Sequence, residues 1–202
     1  MYLSPFQKFD EATNQTSFSS IYLTQRVAAT WPLLPMQHET DHGFDHWERV
    51  HTNARQLAEL EGYEGDKYVF EAVELFALLH DSQRVNEHTD DKHGLRAAEV
   101  MMRFLKNDLL HYYSMNAIFA AMRACALHTD INPHVVHGRH GVKNHFPLHK
   151  ENIDDHIMMI CLDADRLDRT RFEGEDVKTK YLFTESAAEL VVNGEHWNAS
   201  EA

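Results

Sequence analysis

Between Phe44 and Leu60 the residues Phe44, Trp47, Val50, Ala54, Leu57 and Leu60 recur at spacings of three and four. That is the period of an amphipathic helix. Similar spacing returns in Val69–Ala77, Leu95–Leu105, Ile118–Cys125 and Ile153–Ala164, and no segment sustains strand alternation. Such a chain buries its apolar stripes by packing helix on helix, so an all-α fold is expected.

The boundaries follow from local signals. Met1–Ser19 is polar and aperiodic, and Ser20–Leu34 is expected to be a short helix ending before Pro35. Met36–Gly43 reads as a loop. The strong helix Phe44–Leu60 stops at Gly62, and a second helix starts after Asp66, turns Val69, Ala72, Val73, Phe76 and Ala77 inward, and ends near Asp81. A third is expected over about Asp91–Lys106, running through Leu95, Ala98, Met102 and Leu105. A fourth follows a cap at Ser114 with Ile118, Phe119, Met122 and Cys125 on one face. Thr129–Lys150 holds two prolines, two glycines and five histidines and reads as a long surface loop or lid. Asn152–Leu167 returns to helix, and Lys178–Val192 adds a last one. The whole divides into a polar arm over 1–19, one helical domain over 20–192 and a polar tail over 193–202.

The net charge of −13 argues against a nucleic-acid polymer or an anionic membrane as partner, though a bound cation can invert the local field for a small phosphorylated molecule. No apolar run reaches the ~20 residues of a membrane span, and the N-terminus lacks the pattern of a signal peptide. Cys125 and Cys161 sit in apolar helical stretches without ligand spacing, which reads as reduced core cysteine and a cytoplasmic location.

Histidine is in excess, 16 of 202 residues, which raises the expectation of a metal. In FALLHDSQR an apolar helix delivers His80 and Asp81 together, in line with Phe76 and Ala77. His46 lies on the side of Val50 and Leu57. In CLDADRLDR, Asp165 follows Cys161 by four and Ile157 by eight, whereas Asp163 points about 200° away from Asp165 and is expected to make a salt bridge or support a ligand. His46, His80, Asp81 and Asp165 thus form a two-nitrogen, two-oxygen set suited to one divalent manganese, iron, nickel, cobalt or zinc ion. His93 in DKHGLRAAE and His128 in CALHTD could bind substrate, donate a proton to a leaving group or hold a second ion; with Asp81 they are the candidate catalytic residues, and one ion is favoured. Arg84, Arg49, Lys92 and Arg96 are the candidate cations for a phosphate.

The segment HETDH over His38–His42 matches the HExxH zinc-peptidase pattern, which needs a helix to bring both histidines to one face. Pro35 before it and Gly43 directly after it argue against a helix there.

In their order, HGFDHWERV, HDSQR, HGLRAA and DADRLD, spanning roughly His42–Arg169, resemble the HD-domain family of metal-dependent phosphohydrolases. The likeness is closest to a branch carrying HGxxHWxRV, HDSxR, HGxRAA and DADRLD. It implies an α-helical bundle, hydrolysis of a phosphate ester (often of a nucleotide) by a metal-bound hydroxide, and His46, His80, Asp81 and Asp165 as ligands. In two-metal members, histidines in the intervals of His93 and His128 hold the second ion. Many members follow the HD pair with an isoleucine-glycine-lysine type of sequence, where this chain has Ser82, Gln83 and Arg84. That departure supports the alternative of a non-catalytic ligand- or metal-binding module of the same fold.

Overall fold

A computed structural model describes residues 41–104, 109–129, 152–171 and 176–194. Six α-helices run through them: α1 Phe44–Leu60, α2 Lys67–Leu79, α3 His93–Phe104, α4 Met115–Leu127, α5 Ile153–Leu167 and α6 Glu185–Asn193. No strand occurs among the described residues, as the hydrophobic period predicts. The expected arm, the helix over Ser20–Leu34, nearly all of the His-rich loop and most of the C-terminal tail lie outside the described residues.

The central element is α2. It packs against α1, α4 and α5, and α5 in turn packs against α1 and α4. Burial on several sides is legible in its composition, because Val69, Ala72, Val73, Leu75, Phe76, Ala77, Leu78 and Leu79 are all inside. Asp66 caps the helix by accepting from the backbone N–H groups of Tyr68 and Val69. Two glycines with positive φ, Gly62 at 87° and Gly65 at 76°, turn the chain from α1 into α2. At the start of α4, Ser114 caps Ala117 N–H, and its own N–H donates to the buried carboxylate of Glu71 on α2.

Where α3 and α4 meet, hydropathy alone misplaces the buried face. Leu95 and Met102 are 50% and 47% exposed, and Phe119 is 43% exposed. The buried positions are instead His93, Gly94, Ala97, Ala98, Val100 and Met101 on α3, with Ala117, Ile118, Ala120, Ala121, Ala124 and Cys125 on α4. Small residues let the two backbones approach closely, and a count of large apolar side chains gives them too little weight. Leu105 lies outside the described residues. On α5, Ile153 is likewise exposed while Ile157, Ile160, Cys161 and Ala164 are buried, and both cysteines are free thiols.

The last helix is shorter than its periodicity suggests. A 3-10 turn at Thr179–Tyr181 precedes it, and Thr184 caps α6 through Ala187 N–H. Asp163 causes the break. Fully buried on α5, it accepts from the N–H groups of Phe183 and Thr184 and from the Thr184 hydroxyl. Burial pushes its carboxyl up to about 6, against the pull of those donors and of Arg166. Asp163→Ala should therefore cost about 2–4 kcal/mol in urea unfolding by releasing the start of α6. Divalent-metal uptake should be unchanged in that variant, because Asp163 faces α6 and not the histidine cluster described next.

Candidate metal centre

The C-terminal end of α2 sits among the ends of its neighbours, and the histidines gather there. His80 is the C-cap of α2 and Asp81 the next residue, 0% and 4% exposed. His46 enters from the first turns of α1, Asp165 from the last turn of α5, His93 from the start of α3 and His128 from the C-cap of α4. Side chains from four helices thus converge on one dipeptide at the end of the fifth. Among the described residues, three groups could hold an ion: His46–His80–Asp165, Asp81–His93–His128 and, with His42 from the turn before α1, His42–His46–Asp81.

Each central imidazole is tied by its outer nitrogen to an oxygen. His80 Nδ1 lies 3.2 Å from the carbonyls of Phe76 and Ala77, and His128 Nδ1 lies 2.6 Å from that of Cys125. His93 Nδ1 is 2.5 Å from the carbonyl of Asp90, and His46 Nδ1 is 2.6 Å from a carboxylate oxygen of Asp168. A carbonyl or carboxylate can only accept, so each neutral ring carries its proton on Nδ1 and turns the lone pair of Nε2 inward.

Those inner nitrogens meet in pairs. His46 Nε2 and His80 Nε2 are 3.0 Å apart, and His93 Nε2 and His128 Nε2 are 2.8 Å apart. Two lone pairs facing at that distance repel unless a cation lies between them. Donors at about 2.1 Å from one ion stand about 3.0 Å apart at a right angle and about 3.4 Å apart at a tetrahedral angle. His46 Nε2 is 3.4 Å from Asp165 Oδ1 and 3.5 Å from Asp81 Oδ2, and His80 Nε2 is 3.9 and 3.7 Å from the same atoms. The buried His and Asp groups can therefore hold a metal ion. The four ligands expected from sequence are all brought together.

Asp81 joins the two halves. Its Oδ2 faces His46, His80 and, at 2.9 Å, His42 Nδ1. Its Oδ1 faces His93 Nε2 at 2.8 Å and His128 Nε2 at 3.6 Å. Burial alone would raise this carboxyl, but His80, His128, His42 and His46 outweigh it and hold Asp81 well below the usual carboxylate range. Asp165 is depressed likewise, with burial overcome by His46, His80 and His128. Burial lowers His80 to about 3, so its imidazole is neutral and ready to ligate; for His128 the nearby carboxylates of Asp81 and Asp165 overcome burial and raise it.

The expected phosphate-binding cations divide. Arg84 stays beside the centre, with Nη1 3.6 Å from Asp81 Oδ1 and 3.4 Å from His93 Nε2, while its Nη2 donates to His88 O. Arg96 instead braces the loop after α2, donating to Gln83 O and to Asp90. Arg49 is drawn onto Asp168, and Lys92 is exposed at the edge of α3. Asp165 is the most open of the ligands at 27% side-chain exposure, with His42 at 15% and Arg84 at 14%.

Two participants were not among the candidate site residues, although the loop holding His42 leads into the His46 helix and places it near the site. His42 lies in the turn before α1, where its carbonyl accepts from Trp47 Nε1, and not on a helix as a peptidase histidine would. His38 and Glu39 lie outside the described residues. Asp168 was the stronger omission, because Asp165 and Asp168 are one helical turn apart in DADRLD and share a face.

No family model, curated protein or solved structure matches the chain. The likeness to the HD pattern thus rests on the sequence motifs alone.

Proposed function

We propose that the chain is an HD-type, divalent-metal-dependent phosphohydrolase acting on a small phosphorylated substrate, with nucleotides as the first class to test. The observation that carries this reading is the two facing pairs of Nε2 lone pairs with one Asp81 oxygen turned to each. His46, His80, Asp165 and Asp81 Oδ2 would hold one ion, and His93, His128 and Asp81 Oδ1 a second. A cation held in such a site supplies hydroxide at neutral pH and neutralises phosphate oxygens.

The chain's own residues account for the rest. Burial of His80 and His46 keeps water away from the inner side of the site, while Asp165, at 27% side-chain exposure, is where a ligand would approach. Arg84 stands where its guanidinium can meet phosphate oxygens as charge builds on them. His128, with its raised basicity beside Asp81, can hand a proton to a leaving oxygen when it is not ligating.

Elemental analysis of untagged protein, followed by phosphate release from a nucleotide and phosphomonoester panel in the metal found, tests the reading. One or two equivalents of transition metal per chain and metal-dependent release are expected. Metal uptake with ligand-stabilised thermal melts but no release from any ester would replace it with the binding-module alternative. No uptake after reconstitution would end the metal-dependent reading and leave the ligand-binding module of the same fold in the lead.

A further inference from the structure

Of the four inward-facing histidines, three are backed by backbone carbonyls and one by a carboxylate. That one is His46. Asp168, fully buried at the C-cap of α5, places Oδ2 2.6 Å from His46 Nδ1. Its other oxygen accepts from Arg49 Nε at 2.6 Å, and Arg49 Nη2 reaches Oδ2 at 3.2 Å. His46 is therefore bracketed by two carboxylates of α5. Asp165 meets its inner nitrogen and Asp168, three residues on, its outer one.

Asp168 has no reach into the cluster itself, since the imidazole ring stands between them. It can act only through the ring, by fixing which nitrogen carries the proton and which way the ring faces. Such carboxylate–histidine pairs behind a ligand also raise the basicity of the inner nitrogen. Arg49 has only donors, so it holds the carboxylate in place and cannot itself compete for the Nδ1 proton.

We infer that Asp168, steadied by Arg49, is the positioning residue that fixes His46 in its Nδ1–H form and so sets the affinity of the cluster for a divalent cation. The inference rests on the metal reading above for its second half only. The tautomer is a property of the metal-free protein.

Asp168→Asn tests it with almost no change of shape. Arg49 Nε, at the shorter distance, keeps the amide oxygen, which turns the amide NH2 toward His46 Nδ1. That nitrogen must then accept, and the ring proton moves to Nε2, where it faces His80 and blocks ligation.

Two-bond 1H–15N NMR of metal-free protein, above the histidine titration range and with His46 assigned by a His46→Gln difference spectrum, reads the tautomer directly. Wild type should show Nδ1–H, and the Asp168→Asn variant Nε2–H. Zn2+ affinity by chelator competition should fall about 10- to 100-fold in the variant. A wild-type Nε2–H tautomer overturns the inference even if the variant fails to fold. So does a folded variant with wild-type Zn2+ affinity. Wild type that binds no Zn2+ yet shows the Nδ1–H form would end the metal reading and the affinity claim, leaving the hydrogen-bond assignment standing.

Discussion

Asp81→Ala is expected to lose all bound transition metal and to reduce phosphate release to background, with the far-UV CD spectrum unchanged. One substitution has so large an effect because each oxygen of this carboxylate faces a different group of histidines. The contrast with Asp165→Ala makes the expectation specific. Asp165 belongs only to the His46–His80 group, so its loss should spare whatever His93 and His128 hold. Thermal melts provide an independent reading. A ligand present at 100 times its dissociation constant stabilises the fold by about 2.7 kcal/mol, so added metal should raise the wild-type melting temperature and leave that of Asp81→Ala unmoved. Full activity in Asp81→Ala would sink the assignment.

Gly94→Ala is expected to be the most destabilising small substitution in the described core. A Cβ at this position would lie 2.0 Å from the carbonyl oxygen of Cys125 and 2.6 Å from His128 Nδ1. The first of these is backbone and cannot swing aside, so α3 must back away from α4. Overpacking of this kind costs about 3 kcal/mol. The move would also pull His93 from His128 and disturb the bond that His128 Nδ1 gives to Cys125, so uptake of any second ion should weaken as stability falls. Urea unfolding together with metal counting would show both effects; a variant of wild-type stability would mean that the two backbones do not pass this closely.

Much of this arrangement is legible in the sequence. The period of three and four in Phe44–Leu60 gives α1 to the residue, and the caps at Asp66 and Ser114 give the starts of α2 and α4. Four ligand candidates on three helices share one place because each lies on an apolar stripe, and stripes face the same interior. The face of α3 was less legible. Gly94, Ala97 and Ala98 bury because they are small, while Leu95 and Met102 stand in solvent, and hydropathy ranks these residues the other way. Arginines were the least legible of all. Arg49, Arg84 and Arg96 are alike as sequence, yet Arg49 pairs with Asp168 across the bundle, while Arg84 turns to the Asp81–His93 edge and Arg96 to the Gln83–Asp90 loop close by in the chain. Asp168 falls between these cases, since its spacing from Asp165 was visible but its partner across the bundle was not.

The end of α2 has one more consequence, for how the chain can change in length. His80 and Asp81 are aimed by their count of residues from the Asp66 cap, and each residue of an α-helix turns the chain by about 100°. A single insertion or deletion between Lys67 and Leu79 would swing the pair off the axis on which α1, α3, α4 and α5 converge. The Gly62–Gly65 turn carries no such constraint, because it lies at the opposite end of α2 and its tip is open to solvent. Descendants of this sequence should therefore gain and lose residues in that turn while keeping the interval from Asp66 to Asp81 at one fixed length.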